Sequence, residues 1–339
     1  MHKHHVKTAM ISERALFPSY FAILEGEQSA RYLDCKHRPV SFTREDSTSA
    51  LWEKHRRALS STHIEDNSPS SSLLDLKIEL ASRIFHSCCF CERRCGVNRQ
   101  KEPGQCGVQE ARIASEFLHL GEESLLVPSH TIFFSGCTFH CVFCQNWDIS
   151  QRFCGVSVEP LKLVDIIEKR HDQGARNVNW VGGDPTPNLH YILSTLQSLE
   201  VNTPQVWNSN MYCSQETMDL LEGVIDVYLT DFKYGNDGCA KRLSEIPNYW
   251  AITTRNHALA YHQTEVLVRH LVMPNHVQCC SKPLLTWIAS NLPNAGVNIM
   301  AQYRPEYNAH DYEEIARCPR NEEIQEVLDY AKTLGLQVI

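Results

Sequence analysis

Cys137-Thr138-Phe139-His140-Cys141-Val142-Phe143-Cys144 places three thiols in the spacing CxxxCxxC, with an aromatic residue directly before the last one. The apolar run at 131–134 precedes it and continues into Ser135-Gly136, which predicts that the thiols lie on a loop leaving a β-strand. Thiolates gathered this closely favour a soft metal centre, either zinc or iron–sulfur. Structural zinc normally takes four protein ligands, whereas this group offers three, so an iron–sulfur cubane here would keep one iron for a ligand that is not protein.

A second cysteine group precedes the first one in the chain. Its spacing, Cys88-x2-Cys91-x3-Cys95-x10-Cys106, supplies four thiolates among glycines that allow tight turns. Four thiolates would satisfy a structural zinc or a fully ligated iron–sulfur cluster. The alternative is a loop of unligated cysteines, but the local clustering favours metal and leaves its identity open. Eight further cysteines form no pattern, and the adjacent pair Cys279-Cys280 is interpreted as inert thiols.

Composition places the chain among ordinary globular proteins. It has 339 residues, 42% of them hydrophobic and 21% charged, with 15 cysteines and a formal net charge of −8. The negative charge argues against a nucleic-acid partner, and the basic residues between 31 and 57 alternate with acidic ones as on a solvated face. No apolar run approaches the ~20 residues that span a membrane, and no secretory signal is visible. We therefore expect a cytoplasmic protein, with an organelle as the alternative, and no membrane partner.

The chain divides into four predicted segments. Residues 1–33 form an N-terminal arm, and 34–72 form a polar insertion or linker, expected to be mobile, that ends in a serine-rich run. Residues 73–130 begin with a helix and form the Cys-rich accessory metal-binding segment. Residues 131–339 form the segment of alternating strands and helices, a predicted partial barrel.

From residue 131 onward, strand-like and helix-like patterns alternate. Apolar strand patterns occur at 131–135, 177–182, 204–208, 224–231, 265–273 and 297–303, and amphipathic helices lie between them. Ser214 is a candidate helix cap, and a last helix is predicted from Asn321. Such alternation predicts an α/β fold with a parallel sheet. Six repeats favour an incomplete (β/α)6 TIM-type barrel, preceded by the Cys-rich N-terminal extension.

Polar residues follow the predicted strands, where the carboxyl ends of a barrel form its active face. After the cysteine loop these are Gly182-Gly183-Asp184, Asn208-Ser209-Asn210, Asp231 with Lys233, and Arg269. Each has an ordinary explanation as a turn, a helix cap or a salt-bridge partner, and their convergence on one rim is what indicates a site. The glycines admit a close-approaching ligand, the amides suit a ribose or carboxylate, and the two cations need an anion.

The CxxxCxxC loop with Phe143, together with the turn Gly182-Gly183-Asp184-Pro185, resembles the radical S-adenosylmethionine superfamily. The chain is similar to its branch of pyruvate formate-lyase activating enzyme homologues (PflX-type) over nearly all residues from Phe17 on, except 34–72. That resemblance also includes Cys144-Gln145-Asn146, Asp231-Phe232-Lys233-Tyr234, Arg269-His270-Leu271-Val272-Met273-Pro274 and Gln302-Tyr303-Arg304-Pro305.

The resemblance implies a role for each matching residue. Cys137, Cys141 and Cys144 would hold a [4Fe–4S] cluster whose fourth iron binds S-adenosylmethionine, and Gly182-Gly183-Asp184 would hold the methionine amino group. The other implied cofactor contacts are Phe143, Asn146, Asn208, Ser209, Asn210, Asp231, Lys233 and Arg269. This chain has Asp184 where the family more often has Glu, and Asn208 where better-known activases have Asp. No catalytic residue is assigned.

The implied activity is reductive cleavage of S-adenosylmethionine to a 5′-deoxyadenosyl radical that abstracts hydrogen from a substrate. We expect a protein or peptide substrate, as for glycyl-radical activases, and an electron donor of the flavodoxin or ferredoxin type. One alternative is radical chemistry on a small molecule, with the Cys88–Cys106 group as an auxiliary cluster. A second alternative is a non-catalytic zinc or iron–sulfur binding protein.

Overall fold

One sheet runs through the protein, and its strands occur in it in chain order. The structure is a computed structural model that describes residues 13–61, 70–121 and 123–339. The strands are β1 (Ile113–His119), β2 (Ser129–Phe134), β3 (Asn177–Gly182), β4 (Gln205–Ser209), β5 (Val227–Asp231), β6 (Glu265–Leu271), β7 (Gly296–Met300) and β8 (Gln337–Val338). β1 pairs antiparallel with β2, and every later pair is parallel. The predicted α/β class is confirmed.

Helices connect the strands, as parallel pairing requires. They are α1 (Glu13–Leu16), α2 (Pro18–Leu24), α3 (Arg31–His37), α4 (Thr48–Ser60), α5 (Leu73–His86), α6 (Trp147–Ser150), α7 (Pro160–Asp172), α8 (Leu189–Ser198), α9 (Gln215–Leu221), α10 (Asp237–Ser244), α11 (Tyr249–Gln263), α12 (Lys282–Asn291) and α13 (Asn321–Thr333). Short 3-10 turns lie at Thr186–Asn188, Ala309–Asp311 and Glu313–Ile315, and a π-helical turn lies at Val277–Ser281. None of the helices in these described ranges is long and apolar enough to cross a membrane.

The six predicted strands correspond to β2–β7 and differ from them by a few residues at their ends. Their apolar residues are visible in the sequence because most positions of β2–β6 are buried. The sequence prediction missed β1 and β8, which occupy the two edges of the sheet within the described residues. Most positions of β1 are partly or fully exposed, and β8 has only two residues. Neither strand therefore shows a strong apolar pattern in the sequence.

Part of the predicted insertion at 34–72 is folded. α4 lies within it and packs against α5, burying Leu51 and Ala58. Ser72 begins α5 with a capping box. Its hydroxyl accepts from the backbone N–H of Asp75, and the Asp75 carboxylate accepts from the backbone N–H of Ser72. Residues 62–69, which include part of the serine-rich run, lie outside the described residues.

The side chain of Lys77, in α5, forms hydrogen bonds to both α4 and α9. Its side chain is fully buried, and Nζ donates to the carbonyl oxygens of Asp219 and Leu220 at the end of α9, each at 3.1 Å. Nζ also lies 2.8 Å from Nε2 of His55 in α4. Burial lowers the pKa of Lys77 to about 8 and that of His55 to about 2, so the imidazole is neutral and accepts this bond.

We expect Lys77→Met to lower the free energy of unfolding by about 2–4 kcal/mol, because two buried carbonyl groups and an imidazole lose their donor. Chemical denaturation at pH 7 measures this change. Lys169→Met, at an exposed position of α7, is the matched control and should change stability by less than about 0.5 kcal/mol.

The same lysine predicts a dependence on pH. The unfolded chain holds its proton up to about pH 10.5, whereas the folded protein releases it near pH 8. Stability of the wild type relative to Lys77→Met should therefore rise with pH across that interval. A flat difference from pH 8 to 10.5 would contradict the buried position of the ammonium group.

Candidate active site

The three sulfur atoms of Cys137, Cys141 and Cys144 lie at the carboxyl end of β2. Each one has a polar side chain from another part of the chain within hydrogen-bonding distance: Asn210 Nδ2 for Cys137 (3.8 Å), Ser244 Oγ for Cys141 (2.9 Å) and Ser150 Oγ for Cys144 (3.1 Å). Such donors orient metal ligands and stabilise thiolates. Sequence analysis found Asn210 but missed both serines, which carry no motif of their own.

The backbone of the cysteine loop is held in place on both sides. The N–H groups of His140 and Val142 donate to Ser244 O (3.1 Å) and Leu243 O (2.9 Å) at the end of α10. At the start of the loop, Gly136 N donates to Ile149 O in α6 at 2.8 Å. The positions of the sulfur atoms are therefore fixed by main-chain contacts.

Burial affects the protonation of two of these thiols, Cys137 and Cys141. Burial raises the pKa of Cys137 well above its usual range, and the nearby Asp184 carboxylate adds to this effect. Burial also raises the pKa of Cys141 to about 12, against the opposing charge of Lys233. Buried thiols become thiolates when a metal supplies positive charge. In the described residues, the sulfurs of Cys137, Cys141 and Cys144 are not all within 4.8 Å of one another. Their separation is therefore wider than a mononuclear zinc site needs, and a cluster fits better.

Opposite the cysteines, a charged network covers the ends of β4, β5 and β6. Asp231 accepts from Lys233 Nζ at 2.6 Å and from Arg269 Nε at 2.9 Å. Arg269 also donates to Oδ1 of Asn208 at 2.5 Å. Although burial opposes ionisation, Arg269 and Lys233 outweigh it and lower the pKa of Asp231 to about 2. Two cations and one carboxylate leave this wall positive, as a site for an anionic ligand would be.

Asn208 adds an unused donor to that wall. Its side chain is buried, and Nδ2 has no hydrogen-bond partner in the described parts of the chain. A buried amide without a partner is costly unless a ligand or water completes it. An acceptor such as a carboxylate or ribose oxygen in the cavity would satisfy this group.

The turn at 182–184 serves mainly to bring backbones together. Gly182 has φ of +120°, and a Cβ there would lie 2.1 Å from Phe134 N. Asp184 is buried and accepts hydrogen bonds from Thr138 Oγ1 (2.7 Å) and Ser209 Oγ (3.0 Å). Burial raises the pKa of Asp184 to about 6, in spite of these hydrogen bonds. Of the three turn residues, only Gly183 faces the cavity.

The cysteines and the charged wall share one cavity of about 270 Å³. Sequence analysis named twelve of its lining residues: Cys137, Cys141, Phe143, Cys144, Asn146, Gly183, Asn208, Ser209, Asn210, Asp231, Lys233 and Arg269. It missed an apolar group made of Phe139, Val181, Leu271 and Met300, although the last three lie at strand ends where the polar residues were sought. Gln145 and Gln302 complete the lining. The predicted residues are therefore brought together, apart from Gly182 and Asp184, which lie behind the cavity wall.

The second cysteine group lies directly beside the first one. Cys88, Cys91, Cys95 and Cys106 line a small cavity of about 10 Å³. Arg93, inside this group, donates from Nε to Thr138 O in the cysteine loop at 2.8 Å. Among the described residues, no three of these four sulfurs all lie within 4.8 Å of one another, so this spacing too is wider than that of mononuclear zinc.

The sequence model of the Radical SAM superfamily matches residues 131–280, a range that contains both cavity walls. An uncharacterized protein of Methanocaldococcus jannaschii is 47% identical over 333 residues, which cover 94% of this chain and 98% of that protein. Because 94% of this chain is matched, the match includes both cysteine groups.

Two solved structures align with parts of this chain at low identity. Streptococcus suis SuiB, bound to its precursor peptide SuiA, aligns at a TM-score of 0.44 and 13% identity over 86% of this chain. The alignment covers 60% of SuiB, so the chain spans less than two thirds of that protein. A domain of a pyruvate-formate lyase-activating enzyme from Bacteroides vulgatus aligns at a TM-score of 0.34 and 15% identity, over 55% of this chain and 95% of that domain.

We expect Asp231→Asn to lower the free energy of unfolding by about 2–4 kcal/mol, because Lys233 and Arg269 lose the carboxylate between them. Partial exposure of these side chains to water reduces the loss. These side chains are only 15–20% exposed. Thermal or chemical unfolding measures the change. The control Asp165→Asn removes half of an exposed pair on α7 and should cost less than about 1 kcal/mol. Equal effects of both substitutions would show that the charged wall contributes nothing special to stability.

Proposed function

We propose that this chain, which belongs to the radical S-adenosylmethionine superfamily and uses a [4Fe–4S] cluster and S-adenosylmethionine, modifies or activates a protein or peptide. When bound, these cofactors supply reductive cleavage of the sulfonium and hydrogen abstraction by the resulting 5′-deoxyadenosyl radical. The observation that carries the proposal is the shared cavity, in which three cysteines face a positive wall with an unused amide donor.

The cysteine loop would hold the cluster. Cys137, Cys141 and Cys144 are the proposed ligands, and the two serines and Asn210 would orient their sulfurs. Asp184 would act through Thr138, because its carboxylate holds that hydroxyl beside Cys137. Gly182 would keep β3 close enough to β2 for this contact.

The charged wall would hold S-adenosylmethionine. We propose that Arg269, Lys233 and Asn208 receive the methionine carboxylate. Arg269 and Lys233 supply positive charge, and Nδ2 of Asn208 supplies a hydrogen-bond donor that has no partner among the described residues. Gly183 would let the methionine amino group approach the backbone, with Asp231 balancing the local charge. The remaining proposed contacts, to ribose and adenine, are Ser209, Asn210, Phe143 and Asn146.

The size of the cavity favours a substrate that enters from outside. At about 270 Å³ it lies below the ~300–1,000 Å³ typical of small-molecule sites. A cavity that must hold a cofactor leaves little room for an additional small molecule. A peptide segment of a larger protein could instead present one residue at the mouth, as the activase-like PflX-type branch implies. We propose that the sheet curves as an incomplete (β/α)6 barrel and leaves this mouth open.

The second cysteine group is the best argument for the alternative, radical chemistry on a small molecule with an auxiliary cluster. Its cavity adjoins the cysteine loop through the Arg93–Thr138 hydrogen bond, so a cluster held by Cys88, Cys91, Cys95 and Cys106 could relay electrons. The wide sulfur spacing favours iron–sulfur over zinc at this position. In either case we propose that the protein is cytoplasmic and receives its electron from a donor of the flavodoxin or ferredoxin type.

Anaerobic reconstitution with iron, sulfide, S-adenosylmethionine and a strong reductant tests the activity. We expect 5′-deoxyadenosine to form with the wild type and to fall to the level without enzyme for Cys141→Ala, because that variant loses a cluster ligand. Cys318→Ala changes an exposed cysteine outside both groups and should retain full activity. No product from the wild type, or equal product from Cys141→Ala, would refute the radical enzyme.

Iron counts test the auxiliary site separately. We expect Cys88→Ala to lose about half of the iron that the reconstituted wild type binds and Cys137→Ala to lose a similar amount, because each would remove one of two clusters. Iron unchanged in Cys88→Ala would show that the second group does not bind a cluster.

A further inference from the structure

Four potential metal ligands meet outside both cysteine groups. They are Cys239 in the first turn of α10, and His276, Cys279 and Cys280 at the π-helical turn that follows β6. Their ligand atoms all lie within 4.8 Å of one another. All three cysteines are free thiols. We propose that Cys239, His276, Cys279 and Cys280 form a structural Zn²⁺ site.

The distances match a tetrahedral zinc centre. With Zn–S near 2.3 Å and Zn–N near 2.05 Å, two sulfur ligands should lie about 3.8 Å apart, and a sulfur and a nitrogen about 3.6 Å apart. Cys279 Sγ lies 3.9 Å from both Cys239 Sγ and Cys280 Sγ. His276 Nδ1 lies 3.4 Å from Cys279 Sγ and 3.6 Å from Cys280 Sγ. These four separations are those of ligands around a single ion.

Local structure brings the ligands together. His276, Cys279 and Cys280 occupy positions i, i+3 and i+4, which share one face of a helical turn. Gly235, just before α10, lies against this turn, and a Cβ there would come within 2.6 Å of Cys280 O. The two segments are therefore as close as backbones allow, and Cys239 reaches the other three ligands from α10.

Asn236 supports the site from outside the ligand set. Its Nδ2 donates to Cys279 O at 2.8 Å and lies 3.3 Å from Cys239 Sγ. Its Oδ1 caps α10 by accepting from Cys239 N at 2.8 Å. Hydrogen bonds of this kind fix ligand orientation and stabilise thiolate charge.

Burial and ligand number indicate a structural role. Cys280 is 0% exposed and His276 3%, so water has little access to the centre, although Cys279 is exposed. Four protein ligands close a zinc coordination sphere, whereas catalytic zinc keeps one position open. The donor set of three thiolates and one imidazole is also one that zinc favours.

The site would join two loops of the cavity. The segment after β5 carries Lys233 and Tyr234, and Tyr234 Oη hydrogen-bonds to Ser244 Oγ at 2.5 Å. Ser244 in turn contacts Cys141. A zinc ion that joins α10 to the turn after β6 would therefore fix the position of Lys233 and Ser244 relative to Arg269. The inference stands on its own ligands and does not depend on the proposed radical activity.

Zinc analysis of the protein purified anaerobically from zinc-supplemented medium tests the site. We expect about one zinc per chain in the wild type and in Cys137→Ala, and a loss of at least 80% in Cys239→Ser and Cys279→Ser. Cys279 is exposed, so its substitution should leave the fold intact. Cys318→Ser is the matched control at another exposed cysteine and should keep its zinc.

Substitution of the zinc by Co²⁺ gives a second readout on the folded wild type. The d–d absorption of a tetrahedral thiolate site should appear, and it should be absent in Cys279→Ser. Zinc missing from the wild type, zinc unchanged in both cysteine variants, iron in place of zinc, or a disulfide among these cysteines would each overturn the proposal.

Discussion

The contact on which the site depends is between two stretches of backbone, the start of the cysteine loop and the turn after β3. Asp184 N donates to Gly136 O at 3.0 Å, and Gly183 N donates to Phe134 O at 2.8 Å. A Cβ on Gly183 would lie 2.0 Å from Gly136 O, so no other residue fits without moving the loop. The three sulfurs are thereby placed relative to the sheet by main-chain geometry, which varies far less than side-chain packing.

Electrostatics divides the cavity into two unlike walls. The cysteine wall holds Cys137 and Cys141, whose pKa values are raised by burial, so a positively charged metal centre is needed to make them thiolates. The wall at β4–β6 carries Arg269 and Lys233 against the single carboxylate of Asp231, and it favours an anion. A metal cluster would meet the first requirement and an anionic group the second, which is the combination we propose for S-adenosylmethionine bound beside a [4Fe–4S] cluster. Lys233 links the walls, because its charge also acts on Cys141.

The sequence predicts the parts of this protein whose signal is local. Strands β2–β7 appear as short segments rich in apolar residues, and Ser214 caps α9 as its position suggested, by accepting from Thr217 N. β1 is not predicted from the sequence because one of its faces is partly exposed. α4 is not predicted because its segment is polar overall. Ser150 and Ser244 could not be found, since a serine contacts a distant thiol only through the tertiary fold. For the same reason, the burial of Asp184 behind the cavity wall is not visible in its motif.

The spacing of cysteines along the chain and the distances between their sulfur atoms give different information about the metal that they could bind. The three cysteine clusters of this chain illustrate the difference. CxxxCxxC and the Cys88–Cys106 group are compact in sequence, yet in the described residues no three sulfurs of either group all lie within 4.8 Å of one another. Cys239 and Cys279 are remote in sequence, yet their sulfurs are 3.9 Å apart. A cubane spreads its ligands over several irons, whereas zinc draws four atoms onto one centre. Sulfur separation therefore supports the proposed iron–sulfur centres at the first two groups and the proposed zinc at the third, a distinction that counting cysteines along the chain could not make.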